Sequence, residues 1–325
     1  MIIVYILLIL FFSFLLIKSV DILIVNFKAL AQRTGFDQFA ITELILGLTT
    51  SLPECFIGIT AAFKGVPSLS LGNILGANIA NLSLVIGGAA VVGGTLFVRG
   101  NFLTKDAFYA FLAGSAPLLL LLDRSLSRID GIILIFLYVF YQANVFRERG
   151  KSKEIEESSV YRLFRRLNHR SGRREIGWIF LGIALLLFSA DMLVRFSLKV
   201  ATILGAPILL IGLVLISLGT TLPELVFNIA AVRRHQASMA FGNLLGSIVV
   251  NATLILGLVS LISPIAIIAF DEYLSATLIF ILMFFVFYLL MRSKRRLERW
   301  EGGALIFLYL VFVLIEFIGA KISGI

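Results

Sequence analysis

The stretch TTSLPE, Thr49 to Glu54, returns 170 residues later as GTTLPE, Gly219 to Glu224. Each copy lies inside an apolar run long enough to cross a bilayer, and each places a proline immediately before a glutamate. A charged side chain near the bilayer centre costs about 2.5–3.5 kcal/mol on insertion scales, so an intramembrane glutamate marks a functional site. The proline has no N–H and clashes with the carbonyl four residues back, which loosens the helix and frees oxygens beside the carboxylate. Broken backbone at membrane depth is tolerated only where it lines a cavity or is buried in protein. The expectation is a buried cation site built on Glu54 and Glu224.

The surrounding composition agrees. Of 325 residues, 60% are hydrophobic and 14% charged, and the mean hydropathy of +1.04 exceeds that of soluble domains. At roughly 20 apolar residues per span, ten segments qualify: 1–27, 39–63, 68–94, 103–122, 130–146, 175–201, 206–231, 237–262, 273–291 and 303–322. The N-terminal MIIVYILLILFFSF lacks a basic leader and an A-x-A-like cleavage site, so it reads as a retained span. The single cysteine, Cys55, excludes an internal disulfide and a thiolate metal cluster.

Charge orients the spans. The segment Arg147 to Arg174 holds ten Lys/Arg against four Glu, which the positive-inside rule places in the cytoplasm. Alternating outward from it, the cytoplasmic connections carry twenty-one basic residues and the opposite side five. Both termini are therefore expected on the extracytoplasmic side of a cell membrane. The same rule accounts for the net charge of +9 without a nucleic-acid partner.

A constant offset of 170 aligns the two halves from the first span to the third. GNILGANIANLSLVIG at Gly72 falls on GNLLGSIVVNATLILG at Gly242, and Asp21 falls on Asp191. With one inserted residue, GIILIFLYVF at Gly131 matches GGALIFLYLV at Gly302. Five spans per repeat is an odd number, so the second copy must insert upside down, the design of many secondary transporters. The expected fold is all-α and polytopic, with ten transmembrane helices in two inverted-topology five-helix repeats. The boundaries are 1–146 for the first repeat, 147–174 for a basic cytoplasmic loop and 175–325 for the second repeat.

Helical spacing puts Asn73, Ala77 and Asn81 on one face, and Asn243, Ser247 and Asn251 on its counterpart. Glycines 72, 76, 242 and 246 keep an adjacent strip bare for close helix approach. Asp21 and Asp191 each have a basic residue one turn away, Lys18 and Arg195, and read as structural ion pairs. The ligands that converge are the carboxylates of Glu54 and Glu224, the hydroxyls of Thr50, Ser51, Thr220, Thr221 and Ser247, and the amides of Asn81 and Asn251. The carbonyls of Thr49 and Gly219, four residues before each proline, join them. All are oxygens, whereas both histidines, His169 and His235, fall in cytoplasmic loops. Oxygen-only coordination selects hard cations, and six to eight oxygens describe a Ca²⁺ site. Two glutamates balance one Ca²⁺, two protons or about as many Na⁺. No nucleophile–base constellation or His-bearing metal motif accompanies them, so the chain does not read as an enzyme, and no resident cofactor or obligate protein partner is expected.

At these residues the chain resembles the cation/calcium exchanger superfamily, and within it the prokaryotic sodium/calcium exchangers, whose repeats carry GTSLPE and GNxxGSNxxN-like motifs. The resemblance implies a site between spans two, three, seven and eight, and long first and sixth spans that slide. It implies ion contacts from Thr50, Ser51, Glu54 and Asn81, then Thr220, Thr221, Glu224, Ser247 and Asn251, with backbone carbonyls from Gly47 and Ser217. Three departures stand out. Ala77 replaces a usual hydroxyl ligand, Asn251 replaces an aspartate found in some relatives, and the first repeat reads TTSLPE. The expected activity is Ca²⁺/Na⁺ antiport by alternating access. H⁺/Ca²⁺ antiport is the alternative, and a passive cation channel ranks behind both.

Overall fold

Backbone N–H and C=O groups find no water in lipid, so a spanning segment must satisfy them within itself, as a helix does. The computed structural model describes residues 2–34, 50–97, 106–149, 173–235 and 237–322. Within them lie ten helical segments. They are α1 (Ile2–Thr34), α2 (Leu52–Phe63), α3 (Pro67–Gly93), α4 (Asp106–Leu120), α5 (Arg128–Arg149), α6 (Arg173–Leu204), α7 (Ile208–Arg233), α8 (Ala237–Val249, running on through Val250–Ile255 and Leu256–Ile262), α9 (Phe270–Lys294) and α10 (Arg299–Ile322). Each falls on one of the ten expected spans. The start of the second span and most of the basic loop lie outside the described residues.

Local chemistry sets the reversals. After α2, Val66 N–H returns to Ala61 O at 2.9 Å and Gly65 sits at φ +71°, a left-handed helix end that suits glycine. Pro67 then opens α3 with its φ already fixed. The α6–α7 turn repeats the device with Gly205 at φ +65° and Pro207 just before α7. In the α7–α8 turn, the repeat equivalent of the α2–α3 turn, His235 takes Gly65's place at φ +58°.

The inverted repeat is visible in two short ribbons. Strands β1 (Leu96–Phe97), β2 (Ser125–Leu126), β3 (Ile265–Ala266) and β4 (Arg296–Leu297) pair antiparallel, β1 with β4 and β2 with β3. Leu96 faces Leu297, and Leu126 faces Ile265. The repeat offset turns β1 into β3 and β2 into β4, so it exchanges the ribbons. One helix, α4, separates β1 from β2, which places the ribbons at opposite ends of the bundle. Reciprocal glycine contacts follow the same exchange. A Cβ on Gly87 would lie 2.6 Å from Gly302 O, and one on Gly131 would lie 2.8 Å from Gly257 O.

Helices α2, α3, α7 and α8 pack together at the centre. The spanning window of α3 is 89% buried, against 28% for α1 and for α6. Those two lie against each other, with Ile9, Leu16 and Val20 packed among Leu186, Ala190 and Leu193 in a second core that also takes in Ile57 and Ala61 of α2 and Ile216 of α7. Their ion pairs are those expected, Lys18–Asp21 at 3.1 Å and Arg195–Asp191 at 2.6 Å. Asp191 also takes Lys64 from the end of α2 at 2.5 Å.

The α3–α7 crossing is the tightest of these contacts. A Cβ on Gly72 would fall 2.0 Å from Leu209 O, and one on Gly76 would fall 2.0 Å from Leu213 O. Backbone oxygens on a packed helix cannot step aside. Gly76→Ala is therefore expected to destabilise the protein by about 1–3 kcal/mol, the range for overpacking. Gly303→Ala, with nothing among the described residues within 4 Å, should leave stability unchanged. Thermal unfolding of both variants in detergent measures the difference.

Candidate cation site

The two Pro-Glu motifs start their helices differently. In the first repeat, Ser51 at φ −92°, ψ 4° caps α2 without a side-chain bond, Pro53 occupies the opening turn, and Glu54 lies in that same turn. The positive end of the helix dipole thus lies beside a carboxylate. In the second repeat, Pro223 sits inside a continuous helix. The segment just before it, Ile211–Ile216, forms wide turns with i→i+5 hydrogen bonding. The hydroxyls of Thr220 and Thr221 donate to Ser217 O at 3.2 and 2.9 Å, and that of Ser217 donates to Leu213 O at 2.6 Å.

Nearly all of the expected ligands come together, and all but Thr50 are buried. Glu54, Glu224, Ser217 and Asn251 are fully buried, and Ser51, Asn81, Thr220, Thr221 and Ser247 are 1% exposed. Thr50 is half-buried, its hydroxyl 3.2 Å from that of Ser247, which joins the start of α2 to α8. Glu54 faces Glu224 and the Thr220 hydroxyl, and Glu224 faces the Ser247 hydroxyl and the Asn81 amide. None of these closes to a hydrogen bond. Among the described residues, all four carboxylate oxygens are buried without a partner, as are the Ser51 hydroxyl, both polar atoms of the Asn81 amide and the Asn251 oxygen. Gly47 and Thr49 lie outside the described residues.

Three features escape the sequence reading. Wide i→i+5 turns begin at Asn81 and, in the other repeat, at Val250 just before Asn251. Such turns are rare and concentrate at functional sites. The Asn251 amide donates to Asn78 Oδ1 at 3.1 Å, and the Thr220 hydroxyl contacts Asn73 Oδ1 at 3.4 Å. Asn228, one turn past Glu224, is fully buried and has no bond to either amide atom among the described residues.

A core of two opposed carboxylates, ringed by neutral oxygens between inverted repeats, defines a secondary transporter of cations. The chain belongs to the sodium/calcium exchanger protein family, which matches residues 4–147 and 174–318. It is a multi-pass membrane cation/Ca²⁺ exchanger and not an enzyme. Among its relatives, the putative antiporter CaxA of Alkalimonas amylolytica is 30% identical over 91% of this chain and 93% of that protein. The sodium/calcium exchanger MaX1 of Methanosarcina acetivorans is 26% identical over 93% and 95% of the two. The solved sodium-calcium exchanger NCX_Mj, soaked with 10 mM Na⁺ and 10 mM Sr²⁺, superposes with a TM-score of 0.62 at 25% identity, covering 97% of this chain and 99% of that one.

The Asn78–Asn251 bond is isolated from solvent, both residues being at most 2% exposed. Asn78→Leu would leave the Asn251 N–H₂ unsatisfied at a cost of about 1–3 kcal/mol. A lowered unfolding midpoint in detergent is the expected outcome.

Proposed function

We propose that this chain exchanges Ca²⁺ for Na⁺ across the cell membrane by alternating access, with Glu54 and Glu224 as the central ligands. The observation that carries the reading is the set of four buried carboxylate oxygens without partners among the described residues. Two carboxylates balance one Ca²⁺. With the hydroxyls of Thr50, Ser51, Thr220, Thr221 and Ser247 and the oxygens of Asn81 and Asn251, they supply the six to eight oxygens that Ca²⁺ takes. The carbonyls of Gly47 and Ser217 belong to the same proposed set. Exchange follows from charge. Moving the doubly charged site across the midplane without a cation costs about 5–7 kcal/mol, twice the single-charge insertion figure. Ca²⁺ and the driving ion then compete for the same carboxylates.

One observation favours H⁺ as the driving ion. Ala77 is fully buried and offers no hydroxyl where the second repeat has Ser247. The Glu54 side is thus short of neutral oxygens for Na⁺, while its carboxylate can still carry a proton. The Lys/Arg bias orients the chain with both termini extracytoplasmic.

Proteoliposomes loaded with Na⁺, with acid, or with neither, at clamped voltage, decide the coupling. Ca²⁺ uptake driven by Na⁺ alone supports the first reading, and uptake driven only by H⁺ replaces it with the second. Glu54→Gln and Glu224→Gln should each weaken Ca²⁺ binding by roughly 100-fold or more, from the 3–5 kcal/mol typical of unpairing a buried charge. Transport surviving either change at wild-type affinity removes the central claim. Under Na⁺ coupling, Ala77→Ser adds an oxygen beside Glu54 and should lower the Na⁺ concentration at half-maximal exchange.

A further inference from the structure

Outside the central site, the largest set of unsatisfied polar atoms belongs to two amides. Asn228 of α7 is fully buried and Asn243 of α8 is 7% exposed, and among the described residues neither the oxygen nor the nitrogen of either side chain has a hydrogen-bond partner. Asn228 lies four residues after Glu224, and Asn243 four before Ser247, so each shares a helix face with a site residue. They lie seven and eight residues from His235 at the hairpin turn, about 10–12 Å along the helices at 1.5 Å per residue. Glu224 and Ser247, which face each other, fix the register of the two helices. Both amides therefore sit at one level, one turn from the site toward the α7–α8 turn.

The ordinary role of a buried amide between helices is to bond them together, and neither residue does so. Four unpaired polar atoms at membrane depth are costly to keep, which points to a ligand that satisfies them in passing. The other half of the bundle is built differently. There the repeat places Gly58 opposite Asn228, and a Cβ on Gly58 would meet the Ser70 hydroxyl at 2.7 Å. Asn73, the mate of Asn243, already has its oxygen in contact with Thr220. Among the described residues, two unpartnered amide oxygens thus lie on one side of the carboxylates, and the Ser70 hydroxyl and the Asn73 nitrogen on the other.

We propose that Asn228 and Asn243 form a waypoint for a partly dehydrated cation, Ca²⁺ included, between the central site and the membrane face at the α7–α8 turn. Their neutral oxygens replace water on the ion as it approaches, without the charge that would trap it there. The proposal rests on the cation-exchange reading of Glu54 and Glu224. The charge bias assigns the face concerned to the cytoplasm.

The test is Ca²⁺/Ca²⁺ tracer exchange in vesicles of sorted orientation, with the Ca²⁺ concentration at half-maximal rate read separately at each face. Asn228→Ala should raise that concentration by roughly fivefold at the α7–α8 face, the worth of one neutral polar contact, and leave the opposite face unchanged. Asn243→Ala is assayed in parallel and should show the same one-sided rise. Asn228→Ser, which returns one oxygen, should recover part of it. Unchanged values for the variants, or an equal rise at both faces as a purely structural role would give, overturns the waypoint. Wild-type vesicles without Ca²⁺ exchange, or Glu224→Gln vesicles that retain it, would instead overturn the central site itself.

Discussion

Two carboxylates that cannot avoid each other organise this molecule. Glu54 and Glu224 come from opposite repeats, are fully buried and face one another without a hydrogen bond to either carboxylate among the described residues. In lipid such a pair is stable only with compensating charge. The surrounding structure is what delivers that charge under control. Bare glycine strips on α3 let α7 approach to backbone contact, which carries Glu224 to the centre. The start of α2 puts the positive end of its dipole beside Glu54. Wide turns at Asn81 and Asn251 redirect the amides beside them.

The repeat explains the economy of this design. Its offset exchanges the β1–β4 and β2–β3 ribbons, the Gly87–Gly302 and Gly257–Gly131 contacts, and the Ser83 and Thr253 hydroxyl bonds to the carbonyls of Ile79 and Val249. Each device is encoded twice and works at both ends of the bundle. A gate that opens toward one side then has a counterpart of similar geometry for the other, the structural requirement of alternating access.

The fold was legible because its signals are global. Hydropathy gives ten spans, an odd number of spans per copy inverts the repeat, and intramembrane Pro-Glu pairs mark the centre. What stayed hidden depends on hydrogen-bond register. The stripe Asn243, Ser247, Asn251 assumes 3.6 residues per turn throughout, and the i→i+5 turn that begins at Val250 breaks that assumption without any breaker residue to announce it. Asn78 sits off the matching stripe of Asn73, Ala77 and Asn81, yet it is the residue that meets Asn251. Asn228 was hidden for the opposite reason. Its spacing from Glu224 is plain, but a search for matched pairs passes over a position whose mate is Gly58.

Departures from symmetry therefore carry as much information as the symmetry itself. Two identical inverted halves would make the two facing states equal in free energy, whatever the absolute stability of either. Inequality can enter only where the halves differ. Lys64 at the end of α2 closes on Asp191 at 2.5 Å, whereas Asp21, the mate of Asp191, pairs with Lys18 of its own helix and forms no ion pair with Arg234, the mate of Lys64, among the described residues. Ser247 faces Glu224, and its mate is Ala77. A tenfold bias between facing states requires only about 1.4 kcal/mol, within reach of one half-buried ion pair or one hydroxyl. Natural selection can thus set the resting orientation and ion preference of such an exchanger by single substitutions that leave both copies of the fold intact.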